Sequence, residues 1–300
     1  MTNDEINTEG DAGPVSDGFR LAVGTLTVFP VSPPRAVGRK SGSWAMTFAP
    51  LVGVLLAAVA SISLWLLGWT VFGWAVFGWA PSLYEVINRQ DLVPLRPASP
   101  LLAAALTIGL LALLTRAIHL DGLADTVDGL GSGRPAEDAL AIMRKSDIGP
   151  FGVVALVLML LVQVVSLAAH ISADHGALAI TLALVVSRLM LPIVCSRGVP
   201  AARREGLGQA VAGSVSPGQL LLAVVFSAVA LGVAATVTPA DTLVAAETIL
   251  RVAIVAVVAL FAGAAICLWS VRRLGGVTGD VMGACVEVTF TVALVVLTLV

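Results

Sequence analysis

The segment IGPFGVVALVLMLLVQVVSLAAHISA, residues 148–173, decides the fold class of this chain. It contains no Asp, Glu, Lys or Arg. A transmembrane α-helix needs about 20 mostly apolar residues, because only a helix or a closed barrel satisfies the backbone polar groups inside hydrocarbon. The segment is long enough to cross a membrane, and it therefore predicts a transmembrane helix.

Further apolar stretches lie on both sides of this segment. We predict seven transmembrane helices, near residues 46–69, 97–115, 148–173, 176–195, the C-terminal half of 206–240, 252–271 and 281–300. The uncharged run 41–84 leaves open whether it holds one span or two. Four of its tryptophans are typical of an aromatic belt at the membrane interface: Trp65, Trp69, Trp74 and Trp79. The expected fold class is all-α, a polytopic integral membrane helix bundle.

The composition favours one membrane-embedded domain. Of the 300 residues 58% are hydrophobic and 12% are charged, about half the charged share of a soluble domain. Residues 1–18 are rich in carboxylates and lack Lys and Arg, which predicts a disordered acidic tail. Residues 19–300 are expected to form a single transmembrane catalytic domain. The net charge of −2 argues against a nucleic-acid partner.

Basic residues predict the orientation of the bundle. With a cytoplasmic N-terminus, the seven spans place fourteen Lys and Arg on inner segments and three on the outer side, namely Arg89, Arg96 and Arg251. Cytoplasmic loops of membrane proteins carry an excess of Lys and Arg. We therefore predict an N-in, C-out topology in the cell inner membrane, and a second span within 41–84 would reverse the N-terminus alone.

The stretch HLDGLADTVDGLGSG, residues 119–133, carries the first group of candidate site residues. Asp121, Asp125 and Asp128 are spaced i, i+4, i+7, which places them on one stripe of a helix. Three carboxylates on one stripe repel one another unless a cation lies among them, and hard oxygen ligands suit Mg²⁺. The alternative is a solvated acidic helix end, which the interleaved leucines and valine disfavour.

The stretch LGGVTGDVMGACVE, residues 274–287, carries the second group. Asp280 and Glu287 are seven residues apart, so on a helix they share one face and Glu287 lies about 10 Å deeper. A carboxylate at that depth is costly and is a functional candidate. The alternative is a helix interface of small residues in which Glu287 only pairs with Arg188, which interrupts another apolar span, or with another internal base. The two interpretations are compatible.

A third group is basic. Its members are expected on or near the cytoplasmic face: Arg144, Lys145, Arg188, Arg203 and Arg204. Cations opposite an acidic metal site suit a diphosphate substrate, because the metal takes some oxygens and the guanidinium groups take others. Taken singly, each of these residues except Arg188 is better explained as a positive-inside anchor.

At these residues the sequence resembles the cobalamin synthase family, the adenosylcobinamide-GDP ribazoletransferases. The resemblance is carried by HLDGLADTVDG (119–129), IMRKSDIGPFG (142–152), REGLG (204–208) and GGVTGDVMGACVE (275–287). It implies a membrane enzyme that uses Mg²⁺ to join adenosylcobinamide-GDP to α-ribazole or α-ribazole 5′-phosphate. The products would be adenosylcobalamin, or its 5′-phosphate, and GMP.

Our hypothesis for the site combines the three groups. The metal ligands are expected to be Asp121, Asp125, Asp128 and Asp280, and the catalytic residues Asp280, Asp125 and Glu287. The substrate phosphates are expected to contact Arg144, Lys145, Arg203, Arg204 and Arg188. Besides the two substrates, membrane lipid is an expected partner, a homo-oligomer is left open, and the active site is expected to face the cytoplasm.

The rival interpretation is a secondary transporter or ion pathway lined by Glu287 and Arg188. It accounts for the charges inside the apolar spans. It leaves the acidic stripe at 119–133 and its glycines without a role.

Overall fold

The computed structural model describes residues 13–68, 99–145, 147–237 and 242–300, which form twelve α-helices and no β-strand. The helices are α1 (Pro14–Leu26), α2 (Arg39–Thr47), α3 (Ala49–Gly68), α4 (Pro100–Leu114), α5 (Ile118–Gly131), α6 (Ala136–Ile142), α7 (Pro150–Ser172), α8 (Gly176–Val194), α9 (Leu207–Val211), α10 (Pro217–Val237), α11 (Thr242–Leu274) and α12 (Gly279–Leu297). The predicted all-α class is confirmed.

Six of these helices are long and apolar enough to span a membrane: α3, α7, α8, α10, α11 and α12. The seventh predicted span, near 97–115, corresponds to α4, which has 15 residues and is shorter than a usual span. Helices α4 and α5 qualify as one broken span, bent by 88°. The predicted polytopic bundle is confirmed with six or seven spans. Of the run 41–84, α3 is one span, and residues 69–98 with Trp69, Trp74 and Trp79 lie outside the described residues.

Two residues with left-handed backbone conformation form the bend between α4 and α5. Arg116 and Ala117 have φ angles of 53° and 52°, a left-handed conformation that a continuous α-helix does not contain. The Arg116 guanidinium donates hydrogen bonds to the carbonyl oxygens of Gly24 at 2.6 Å and Thr25 at 3.1 Å, at the end of α1. The N-terminal segment therefore fixes the bend and sets the direction of α5.

The predicted boundary of the acidic tail changes. Helix α1 begins at Pro14, so residues 14–18, predicted as tail, are its first turns. Proline fits the first turn of a helix because its missing N–H has no partner there in any case. The side chain of Asp17 is 1% exposed and accepts hydrogen bonds from the backbone N–H groups of Arg35 and Ala36. These bonds, the Arg35 one above all, hold the pKa of Asp17 below its usual value.

Helix α8 is the central helix of the bundle. It packs mainly against α3 and α12, and most of its residues are buried. Helix α12 in turn packs against α11, α5 and α8. The core therefore lies around two helices, and the second of them also carries Asp280 and Glu287.

One end of the bundle collects the loops and short helices. The end of α8 meets the start of α10, since Val215 N–H donates to the Cys195 carbonyl at 3.0 Å. The turn between α11 and α12 meets the loop after α8, since Val277 N–H donates to the Pro200 carbonyl at 2.9 Å. We call this end, formed by residues 118–145, 196–216 and 275–278, the site end.

Helices α5 and α12 cross at the site end through glycine. A Cβ atom at Gly122 would lie 2.7 Å from the Asp280 carbonyl oxygen. A Cβ atom at Gly283 would lie 3.1 Å from the His119 carbonyl oxygen. Backbone therefore touches backbone at the crossing, and any larger side chain would separate the two acidic helices.

We predict that Gly122→Ala destabilises the bundle, whereas Gly109→Ala does not. The added methyl group at Gly122 meets rigid backbone, and such overpacking costs about 1–3 kcal/mol. Gly109 lies within α4 with nothing within 4 Å of its Cβ position, so alanine there should be neutral or stabilising by up to about 1 kcal/mol. Thermal unfolding of both variants in detergent measures the difference, and equal midpoints would contradict the tight crossing.

Candidate active site

A cavity of about 250 Å³ opens at the site end, between α5, the start of α12 and the loop after α8. Its charged and polar lining residues are Asp121, Asp280, Arg203, Glu205, Gln209 and Thr278. Small-molecule pockets usually span roughly 300–1,000 Å³. The cavity is therefore sized for part of a larger substrate, and its mixed charges suit an anion held together with a cation.

Arg203 and Asp280 form the ion pair in this cavity. Arg203 Nη1 lies 3.4 Å from Asp280 Oδ2, with the two side chains 15% and 25% exposed. Thr278 donates its hydroxyl to the same carboxylate oxygen at 3.2 Å, and Arg203 Nη2 donates to the Leu140 carbonyl at 2.9 Å. Burial lowers the pKa of Arg203, and the charge of Asp280 partly opposes that effect. The guanidinium is thus held between two acceptors, the Asp280 carboxylate and the Leu140 carbonyl.

Backbone pairing brings these two residues together. Ala202 N–H donates to the Val277 carbonyl at 3.0 Å, next to the reciprocal bond from Val277 to Pro200. Gly276 allows this approach, because a Cβ atom there would lie 2.5 Å from the Ala201 carbonyl carbon. Residues 200–202 and 275–278 therefore act as one clamp that places Arg203 over the start of α12.

Two of the predicted metal ligands, Asp121 and Asp280, line the same cavity. Asp125 lies one turn along α5 and is half-buried. Its charge interacts with those of Asp121, Asp280 and Asp128, which repel it, and with that of Arg203, which attracts it. Four carboxylates and one guanidinium, from α5, the start of α12 and the loop after α8, thus share one electrostatic environment.

Asp128 has a different set of partners. Its carboxylate oxygens accept hydrogen bonds from the backbone N–H groups of Gly149 at 2.7 Å and Gly152 at 2.9 Å. These N–H groups belong to the start of α7, whose own N-cap residue makes no side-chain cap. Asp128 caps α7 from a neighbouring helix, with its charge at the positive end of the helix dipole.

The predicted metal set does not form a complete cage. Over the part of the chain that the structure describes, no group of three or more His, Cys, Asp or Glu is arranged to hold a metal ion. Mg²⁺ usually keeps several waters and takes only one or two carboxylates plus substrate phosphates. Asp121, Asp125 and Asp280 are donors of the right kind for such an open site, whereas both oxygens of Asp128 are occupied.

Four of the five predicted phosphate-binding residues lie at the site end, and the fifth, Arg188, lies in the bundle interior. Arg203 lines the cavity, and Arg144 is close enough for its charge to lower the pKa of Arg203. Arg144, Lys145 and Arg204 are exposed at the site end. Arg188 is 4% exposed within α8 and does not line the cavity of Asp280.

Arg188 and Glu287 line a second cavity, of about 30 Å³, in the bundle interior. It has room for about two water molecules. Gln163 donates to Glu287 Oε2 and to the Thr291 hydroxyl, both at 2.9 Å, while Arg188 Nη1 donates to the Ser187 hydroxyl at 2.9 Å. Over the described residues the two charges form no direct ion pair. Glu287 is thus separated from the larger cavity and joins α7 to α12.

Two residues on which these contacts depend, Thr278 and Gln163, are not among the predicted site residues. Thr278 orients Asp280 and also caps α12, accepting a hydrogen bond from Val281 N–H at 3.2 Å. Threonine directly before an acidic first turn is an N-cap signal, so it was detectable. Gln163 is 2% exposed in the middle of α7, and an uncharged polar residue in an apolar span gives no comparable signal.

The chain is similar to known proteins over most of its length. A family profile described as cobalamin-5-phosphate synthase matches residues 86–298. An "Adenosylcobinamide-GDP ribazoletransferase" of Frankia casuarinae is 35% identical over 284 residues, covering 93% of each chain. Proteins of the same name from Nocardioides sp. and Bradyrhizobium diazoefficiens are 37% and 32% identical, covering 93% and 89% of this chain and 96% and 87% of theirs. No solved structure matches the chain significantly.

We predict that Asp128→Ala destabilises the protein by roughly 2 kcal/mol or more, because it leaves two N–H groups of α7 without their charged acceptor. Asp138→Ala is the matched control, since Asp138 is exposed in α6 and changes there are usually within about 0.5 kcal/mol. Thermal unfolding of both variants tests the expectation. An unchanged midpoint for Asp128→Ala would show that Asp128 does not act as the cap.

Proposed function

The chain belongs to the cobalamin-5-phosphate synthase family, and we propose that it acts as an adenosylcobinamide-GDP ribazoletransferase in cobalamin synthesis. Its substrates would be adenosylcobinamide-GDP and α-ribazole or α-ribazole 5′-phosphate. The single observation that supports this assignment of the site is the cavity in which Asp280 and Arg203 lie beside the carboxylates of α5.

The charges of this cavity fit a diphosphate. The Arg203 guanidinium offers N–H donors to phosphate oxygens, and the exposed side chains of Arg144, Lys145 and Arg204 extend the positive region outside the cavity. The cavity is too small for a complete corrinoid nucleotide, so we propose that it holds the diphosphate and the attacking hydroxyl. The remainder of each substrate would lie along the site end.

We propose that Mg²⁺ is bound by Asp121, Asp125 and Asp280. The observation in favour is that Asp121 and Asp280 share a cavity and Asp125 is repelled by both, so a cation would relieve that repulsion. When bound, the ion would neutralise phosphate charge and polarise the reacting phosphorus. Asp128 is left out of this set because it caps α7.

The proposed reaction is a displacement at phosphorus. A hydroxyl of α-ribazole attacks the phosphorus next to the corrinoid, a new P–O bond forms, and the P–O bond to GMP breaks. The hydroxyl proton passes to a carboxylate, Asp125 or Asp280, and Arg203 stabilises the charge on the phosphate oxygens. Glu287 and Arg188 are positioning residues in this scheme, since they lie in the separate interior cavity.

We propose that the site end faces the cytoplasm. Arg134, Arg144, Lys145, Arg203 and Arg204 lie at the site end, whereas Arg251 lies toward the opposite end of α11. This distribution follows the positive-inside rule. The N-terminus would then be cytoplasmic and the C-terminus outside.

We predict that Asp125→Asn and Asp280→Asn each lower turnover by about 100-fold or more, because each removes a charge that acts on the transferring phosphate. GMP release from adenosylcobinamide-GDP is measured in detergent, with Mg²⁺ added and after removal by a chelator. Wild type should depend on the divalent ion. A transporter would show no such release.

Glu137→Gln is the matched control, because Glu137 is exposed in α6 at the same end of the bundle. It should retain wild-type turnover, and thermal unfolding should show that all three variants are folded. Near wild-type turnover of Asp280→Asn would remove the proposed site, and magnesium-independent turnover would remove the metal alone.

The orientation predicts opposite labelling of the two chain ends. The native cysteines Cys195, Cys267 and Cys285 are buried, so an added cysteine gives a clean signal. In intact cells a membrane-impermeant maleimide should label Thr298→Cys, near the exposed end of α12, but not Ser16→Cys. Labelling of Ser16→Cys alone would reverse the topology.

A further inference from the structure

A second large cavity, of about 370 Å³, lies behind the acidic helix. It is a cleft bounded by α5, α7, α11 and α12, with an almost entirely apolar lining. The face of α5 toward the cleft carries Leu123, Val127 and Leu130, which lie opposite Asp121 and Asp125 on the helix. No residue lines both the cleft and the cavity of the proposed active site, although α5 and α12 bound both of them.

The cleft opens toward the membrane. Its lining residues Leu158 and Val162 on α7 and Trp269 on α11 are 58%, 41% and 48% exposed. All three belong to helices that qualify as membrane spans. A tryptophan at this position is typical of the boundary between hydrocarbon and headgroups.

Arginines lie at the site end of the cleft. Ile266, Trp269 and Arg273 follow one stripe of α11, so Arg273 lies about 6 Å beyond Trp269 along the axis. Arg134 follows the end of α5, and Arg273 Nη2 donates to its carbonyl oxygen at 3.3 Å. Two of the four helices that bound the cleft, α5 and α11, therefore bring arginines together near their ends.

The arginines at this end of the cleft form no ion pair within the described part of the chain. Arg134, Arg272 and Arg273 are exposed, and none of them forms an ion pair with a described carboxylate. Glu137 and Asp138, the acids nearest to Arg134 along the chain, also form no ion pair with these arginines. The apolar cleft is complementary to the acyl chain of an anionic phospholipid, and the unpaired arginines are complementary to its negative headgroup.

We propose that this cleft binds one anionic phospholipid. The acyl chain lies between α7 and α11, against the apolar face of α5, and the headgroup phosphate is held by Arg134 and Arg273. The lipid supports α5 from the side opposite its carboxylates. The test of this site does not depend on the proposed reaction, because lipid binding is measured without substrate.

Native mass spectrometry of the full chain in detergent tests the proposal with phosphatidylglycerol and phosphatidylcholine of identical acyl chains. We expect one phosphatidylglycerol to be retained about tenfold more tightly than phosphatidylcholine, since each arginine near a headgroup adds a several-fold preference for negative charge. R134A/R273A should lose that preference and bind both lipids alike. Inorganic phosphate at equal concentration should not displace the lipid.

Arg251→Ala is the matched control, because it removes an exposed arginine from the opposite end of the same helix. It should bind phosphatidylglycerol as wild type does. Ala155→Phe fills the cleft and should abolish retention of both lipids, and Val162→Trp, at a more exposed position, repeats this test should Ala155→Phe not fold. Wild-type lipid retention by R134A/R273A, or by a folded cleft-filling variant, would overturn the proposal.

Discussion

The contact on which the rest of this structure depends is the backbone crossing of α5 and α12. Gly122 and Gly283 let the two helices touch without intervening side chains. Inside a membrane the hydrophobic effect does not drive helices together. Close van der Waals packing through small residues drives their association instead. The same contact brings the carboxylates of α5 close to Asp280. The packing of the bundle and the proposed chemistry therefore both require the close approach of α5 and α12.

Polar contacts extend this arrangement in both directions from the crossing. Toward the site end, Asp128 caps α7 and Arg203 holds Asp280. Toward the bundle interior, Gln163 connects α7 to Glu287 and Thr291 of α12. Each bond joins segments that are far apart in the chain, and in a low-dielectric interior an unpaired partner would be costly. These bonds therefore fix the relative positions of α5, α7 and α12.

The four sequence motifs that resemble the cobalamin synthase family meet in space through glycines. Gly149 and Gly152 give Asp128 access to the start of α7, and Gly208 packs against the backbone at Thr278. These motifs contain both the charged residues and the glycines that leave room for another segment to approach them closely. The spacing of such motifs along the chain carries no direct information about which glycine serves which charge.

The sequence by itself determined the helical membrane fold, the approximate spans and the acidic and basic candidates, because apolar run length and helical periodicity are local properties. It also pointed to Asp121, Asp125, Asp280 and Arg203, all of which the structure brings into one environment. Tertiary structure alone decided that Asp128 is a helix cap, that Glu287 and Arg188 belong to a separate interior cavity, and that α4 bends by 88° into α5. Those outcomes depend on contacts between residues far apart in the chain, such as Arg116 with Gly24, which no local pattern encodes.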